Sequence, residues 1–305
     1  MPATIVHGPG EASRGFAEGL GRSLGLDVVG CESKLFPDGE AYVRIPLDRL
    51  EGTAVIVHTM ARPQDRSLLE VLMLVDAARG LGASSVVVVA PYTAYARQDT
   101  RFLTGEPVTI STVLKSIYAA GASSYFTVEI HKEYSLRHFP GRAYSVRPFT
   151  YMAKQVGLGR GLLFLAPDLG ALPRARELAS SLGGDYDYLV KRRDRRTGEI
   201  SIEPKEINAR GRDVVIVDDI ISTGGTAARA ARSLLEYGAR SVTVMAAHLL
   251  DIPGNVEKLI NAGVSGVIVA NTLPVRSHPR VRIVDVAPRV GEELVGQGVI
   301  SRANT

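Results

Sequence analysis

Short runs of β-branched and aliphatic residues alternate along the chain with longer amphipathic stretches, which predicts a parallel α/β architecture. Residues 214–217 read as a strand buried on both faces, because four β-branched residues follow one another there, and residues 86–90, 125–130 and 162–166 read as further strands. Residues 67–78 instead carry Leu68, Leu72 and Val75 at helical spacing, with Asp65 placed to help start that helix. A unit of helix, glycine, short turn and strand recurs as GLGASSVVVVAP, AGASSYFTVEIH, YGARSVTVMAAH and NAGVSGVIVANT. Each glycine suits the end of a helix. Because the unit appears in both halves, the chain is expected to be a duplicated protein with domains at 1–147 and 148–288 and a tail, 289–305, returning to the first domain.

The stretch VVIVDDIISTGGTAARA, residues 214–230, combines most of the candidate chemistry. Asp218 and Asp219 stand at the carboxyl end of the buried strand, and Ser222, Thr223, Gly224, Gly225 and Thr226 turn the chain into an Ala-rich helix. Free backbone N–H groups at such a turn cradle an anion. The neighbouring carboxylates repel phosphate but suit hydroxyl groups or a cation, so a phosphorylated sugar answers to both features. The run is not a Walker loop, lacking G-K-[ST], and not a GxGxxG dinucleotide fingerprint.

Composition narrows the setting. A chain of 305 residues with 45% hydrophobic content suggests about two domains with sizeable cores. The single Cys31 excludes an internal disulfide and a thiolate zinc cluster and points to a reducing compartment. No basic start followed by an apolar core opens the chain, and no apolar run is long enough for a bilayer, so a soluble cytoplasmic protein is expected. The formal charge of +4, without a lysine tail or interleaved aromatic residues, does not call for nucleic acid. It does suit a protein that attracts polyanionic nucleotides.

Other candidate residues cluster where strands end. After the strand at 86–90 come Tyr92, Tyr95, Arg97, Gln98, Asp99 and Arg101, a mixture suited to a nucleotide's base and phosphates or simply to a solvated loop. The strand at 125–130 delivers Glu129 and His131 to the same edge. His131 reads as a metal ligand, a phosphate donor or a structural histidine. In the second half, Asp168 follows a strand and Gly170 precedes a helix, a further possible diphosphate or metal loop. The basic run 191–199 lies between alternating stretches at 187–190 and 199–202, which predicts a basic hairpin, either a solvated tip or a catalytic lid. In the first half Pro37, Asp38 and Gly39 make a turn before an alternating strand at 41–45.

The segment 214–230 resembles the phosphoribosyl-diphosphate signature shared by phosphoribosyltransferases and ribose-phosphate diphosphokinases. FPDGE, LLEVLMLVDAARGLGA, PYTAYARQD, EIH, PDLGA, KRR and VVIVDDIISTGGT together resemble the diphosphokinase family in order and spacing over essentially the full chain. That likeness implies an α/β fold of two similar doubly wound domains with mainly parallel sheets, of the type I phosphoribosyltransferase kind. It implies Mg2+-dependent transfer of the β,γ-diphosphoryl group of ATP to the 1-hydroxyl of ribose 5-phosphate. Phe36, Asp38 and Glu40 of a neighbouring subunit, with Arg97, Gln98, Asp99 and His131, would hold ATP, so a homo-oligomer is implied. His131 and Asp168 would bind Mg2+, and Asp168, Leu169, Gly170, Ala171 and Leu172 would receive the diphosphate. Asp218 and Asp219 would hold the ribose hydroxyls, Ser222 through Thr226 the 5-phosphate, and Lys191 and Arg193 would close over the β-phosphate.

The chain departs from many bacterial members at Glu129 and Ile130, at Ala171, and at Ser222 and Gly224, where its Ser-Thr-Gly-Gly form looks more like the archaeal branch. A phosphoribosyltransferase would share residues 218–226 but would not use the motif at 97–99 or need the duplicated length. A regulatory homologue without catalysis would be expected to have lost Arg97, His131, Asp168, Lys191, Arg193 or Asp218, all of which are present.

Overall fold

The structure, a computed structural model, describes residues 2–193, 200–203 and 208–302. Contacts divide the chain into two compact units, one of residues 1–147, 272–274 and 285–305 and another of residues 148–271 and 275–284.

The first unit contains β1 (Ala3–His7), α1 (Glu11–Leu24), β2 (Val28–Gly30), β3 (Glu32–Leu35), β4 (Ala41–Arg44), β5 (Thr53–Val57), α2 (Gln64–Gly80), β6 (Ser85–Ala90), α3 (Thr109–Ala119), β7 (Ser124–Val128) and β8 (Arg142–Val146). Its six-stranded sheet runs β2-β1-β5-β6-β7-β8 with every neighbour parallel, while β3 and β4 pair antiparallel as a separate hairpin.

The second unit contains α4 (Phe149–Val156), β9 (Leu163–Ala166), α5 (Leu172–Leu182), β10 (Asp185–Tyr188), β11 (Val190–Arg193), β12 (Ile200–Glu203), β13 (Asp213–Ile221), α6 (Gly225–Glu236), β14 (Ser241–Leu249), α7 (Asn255–Asn261), β15 (Gly266–Ala270) and β16 (Val281–Val284). Its sheet runs β10-β9-β13-β14-β15-β16, also parallel throughout. The two orders match strand for strand, so the halves are repeats of one doubly wound design. The chain ends in α8 (Ala287–Gly296), which belongs to the first unit and packs on α1.

Hydrophobic patterning accounts for these layers. Ile56, Val88, Leu74, Leu114 and Tyr125 share one core, and Leu165, Ile216, Val244, Leu234 and Leu259 share the other. In α6, Ala227, Ala228, Ala230 and Ala231 face inward, and their small side chains let the helix lie close on the sheet. The repeat glycines Gly82, Gly121, Gly238 and Gly263 all adopt positive φ just past a helix, as their sequence context predicts. Among the described residues, no helix is long and apolar enough to cross a membrane.

Several boundaries differ from the sequence expectation. The basic hairpin is built from β11 and β12, not from residues 187–190, because Asp185–Tyr188 is drawn into the parallel sheet beside β9. Residues 194–199 of the basic run lie outside the described residues. The strand expected at 125–130 stops at Val128, where Glu129 takes φ 41°. The strand expected at 214–217 continues to Ile221, since β14 supplies pairing partners as far as Leu249.

Candidate functional site

In each unit the strand order reverses beside the first strand, and an open parallel sheet binds ligands in the crevice this leaves at its carboxyl edge. In the second unit the reversal lies between β9 and β13. Strand β9 pairs with β13 only as far as Ile216, so the outer part of β13 projects beyond it. Asp218 and Asp219 occupy that projection. Alternation sends their side chains to opposite faces; Asp219 is buried and Asp218 half-buried. The Asp219 amide donates to Asp218 Oδ1 at 2.9 Å. Burial first, and then the charges of Asp219 and Asp168, push the Asp218 carboxyl up to about 8. Asp168, beyond β9, is thereby brought to the same crevice, an anionic crowding that a cation or sugar hydroxyls would relieve.

The loop after Asp168 is ordered by that residue. Asp168 Oδ1 accepts from the Gly170 amide at 2.9 Å and the Ala171 amide at 3.2 Å, and Arg174 donates to the Gly170 carbonyl at 3.2 Å. Leu169 is exposed, Ala171 is buried as the cap of α5, and Leu172 begins that helix. Lys191 and Arg193 lie in β11, in register with Ile202 and Ile200.

Residues 222–226 form the turn into α6, with Gly224 as its cap at φ 71°. The first amides of a helix have no intrahelical acceptor, and no side chain caps this one. Asn255, which the sequence reading passed over, holds the turn: its Nδ2 donates to the Ser222 carbonyl at 3.0 Å and the Leu250 carbonyl at 2.8 Å. Its signal in sequence is only an asparagine at the start of a short helix, common in any cap. A Cβ on Gly224 would stand 2.8 Å from the Asn255 carbonyl oxygen. Gly224→Ala therefore combines left-handed strain, about 1–2 kcal/mol, with a backbone clash. It is expected to lower the melting temperature relative to the wild type, measured by thermal melting.

In the first unit, Arg97, Gln98 and Asp99 follow β6, and His131 follows β7. Backbone strain marks both exits, with Tyr95 at φ 62° and Glu129 at φ 41°, conformations that surrounding structure must impose on residues with a side chain. Arg97 is exposed and His131 half-buried. Gln98 Oε1 accepts from Thr109 at 2.5 Å, and Asp99 accepts from the Tyr134 hydroxyl. Phe36, Asp38 and Glu40 sit at the tip of the separate β3–β4 hairpin, where Asp38 Oδ1 accepts from the Glu40 amide at 3.2 Å.

The crevice between β1 and β5 is filled. His58, directly after β5, is buried with Ser13 Oγ 3.0 Å from Nδ1 and Glu70 Oε2 2.9 Å from Nε2. The Ser13 hydroxyl also accepts from the Thr59 amide at 3.2 Å. Gly8 has no room for a Cβ, which would lie 2.4 Å from His58. A serine, histidine and carboxylate so enclosed cannot meet a substrate; they pin α1 and α2 to the sheet. The first unit thus offers its loops and hairpin, and the second the part of β13 that outruns β9.

Comparison with known proteins covers both halves. Residues 5–121 match the family described as the N-terminal domain of ribose phosphate pyrophosphokinase, and residues 152–264 match the phosphoribosyl transferase domain. The chain is 46% identical over 286 residues to a ribose-phosphate pyrophosphokinase of Aeropyrum pernix, covering 92% of this chain and 93% of that one. It is 40% identical to that of Saccharolobus solfataricus, over 93% of this chain and 98% of the relative. The crystal structure of phosphoribosylpyrophosphate synthetase from Mycobacterium smegmatis superposes with a TM-score of 0.87 at 24% identity, covering 98% and 100% of the two chains, which shows a common fold.

Proposed function

The chain belongs to the ribose-phosphate pyrophosphokinase family, and on that premise we propose that it transfers the β,γ-diphosphoryl group of ATP to the 1-hydroxyl of ribose 5-phosphate, releasing AMP. The observation that carries this reading is the crevice at β13. There carboxylates for sugar hydroxyls and an amide-lined turn for a phosphate stand side by side. The second unit is the ribose phosphate side in this reading, and the first is the nucleotide side.

Residues 222–226 hold the 5-phosphate, and Asp218 and Asp219 accept from the ribose hydroxyls. These contacts orient the anomeric hydroxyl for attack. The loop 168–172, held in shape by the Gly170 and Ala171 amides donating to Asp168, receives the diphosphate. Arg97, Gln98, Asp99 and His131 hold ATP, while Phe36, Asp38 and Glu40 of a neighbouring subunit meet the base, so the working enzyme is a homo-oligomer. In-line displacement at the β-phosphorus needs alignment and charge neutralisation more than a strong base. Lys191 and Arg193 meet the charge that grows on the non-bridging oxygens and, as a lid, exclude water that would otherwise hydrolyse ATP.

Asp168 offers an oxygen donor of the kind Mg2+ takes and His131 an imidazole nitrogen, and these are the proposed protein contacts of the ion. Among the described residues, no group of three or more His, Cys, Asp or Glu is gathered to hold a metal alone. A Mg2+ ion would accordingly complete its shell with substrate oxygens, and when bound it supplies charge neutralisation to the phosphates. The experiment is an assay for AMP from ATP with and without ribose 5-phosphate, in the presence of Mg2+. AMP is expected only with the sugar phosphate present; a folded sample that forms none would point to a binding protein on the same fold.

A further inference from the structure

The β3–β4 hairpin has two faces of different character. Register pairs Glu32 with Arg44, Lys34 with Tyr42, Ser33 with Val43 and Leu35 with Ala41. The period of two therefore puts Glu32, Lys34, Phe36, Tyr42 and Arg44 on one face and Val43 on the other. Val43 packs against the first unit's core, which fixes the face opposite it outward. On that outward face the Glu32–Arg44 ion pair, at 3.0 Å, closes the base of the hairpin. Toward the tip, Phe36 is 40% and Tyr42 36% exposed, with ring centroids 6.0 Å apart and planes at 77°. The Lys34 ammonium stands 5.0 Å from the Phe36 centroid and 5.1 Å from the Tyr42 centroid.

An exposed phenylalanine beside a turn samples several rotamers, and ordering it on binding costs affinity. A cation shared between ring faces reduces that freedom in advance. We infer that Lys34 is a positioning residue for nucleotide binding, which with Tyr42 sets the Phe36 ring so that one aromatic face is presented to a nucleobase. The inference rests on the proposed assignment of Phe36 to ATP. Lys34 touches neither phosphate nor sugar in this role. Its loss acts on nucleotide affinity alone, and the Tyr42 ring gives the cation a fixed seat opposite it on the neighbouring strand.

The test is a mutant cycle followed by initial rates with ATP and ribose 5-phosphate varied separately. Lys34→Met keeps the stem without the charge and is expected to raise the KM for ATP about three- to tenfold. Turnover and the KM for ribose 5-phosphate stay within a factor of about two, and Lys34→Arg, which can also lie over aromatic rings, restores the wild-type KM. Phe36→Ala raises the ATP KM by itself, and in the double variant Lys34→Met adds nothing further, because its effect runs through the ring. An unchanged KM in Lys34→Met, or effects that multiply in the double variant, overturns the positioning role. If Phe36→Ala leaves the ATP KM unchanged, the assignment of Phe36 to the nucleotide fails first and takes the inference with it.

Discussion

Lys191→Ala is expected to lower turnover about a thousandfold while leaving the KM for ribose 5-phosphate near its wild-type value. Removing a single charge that stabilises a phosphoryl-transfer transition state costs on the order of 10²–10⁵ in rate. In the proposed mechanism the binding determinants for the sugar phosphate lie elsewhere, on the turn into α6 and at Asp218 and Asp219. Lys191 belongs to β11, within a two-stranded hairpin that forms no part of the six-stranded sheet. Steady-state AMP release with each substrate varied checks the expectation. A large rise in the sugar phosphate KM with turnover preserved would instead assign Lys191 to ground-state binding and remove the lid from the mechanism.

Asp218→Asn is expected to have opposite effects on catalysis and stability. Activity falls about a hundredfold or more, because an amide neither accepts from the ribose hydroxyls as strongly nor supplies charge to balance a cation. The ligand-free protein becomes more stable at pH 7–8. The Asp218 carboxyl, pushed up to about 8 in the fold, keeps its proton where the unfolded chain has already released it. With more protons bound to the folded state than to the unfolded, stability falls as pH rises from about 4 to about 8. The asparagine variant carries no such proton and lacks that part of the slope. Its melting temperature at pH 7.5 should exceed the wild-type value by about 2–4 °C for each kcal/mol recovered, and the two should converge below about pH 4. Parallel thermal melts across that range, without ligands, read this directly; equal slopes would show that Asp218 is not crowded.

Much of the fold was legible because its causes are local and periodic. The β-branched runs 86–89 in β6 and 214–217 in β13 read as buried strands, and the glycines after the repeat helices mark where each helix ends. The extent of β13 was not legible. Asp218 and Asp219 read as residues beyond a strand, yet β14 continues beside them and draws them into pairing. Tyr186 and Tyr188 alternate like a hairpin strand, but β9 offers a parallel edge that claims them. Propensity cannot rank such competing partners, since their contacts are distant in sequence.

The candidate residues divide in the same way. Residues 218–226 announce themselves, because carboxylates beside a Ser/Thr/Gly turn are uncommon and chemically pointed. Asn255 and the Ser13–His58–Glu70 cluster do not, since an asparagine at a helix start or a histidine after a strand is unremarkable until its neighbours are known. By itself the sequence determined the alternation of strands and helices, the duplicated plan and the acids and turn whose chemistry suits a sugar phosphate, all of which depend on residue type at short range. Only the tertiary structure decided that the crevice between β1 and β5 is filled, how far β13 outruns β9, and which face of the β3–β4 hairpin carries Lys34 and its rings outward. Those outcomes depend on strand register and on side chains meeting across long stretches of chain.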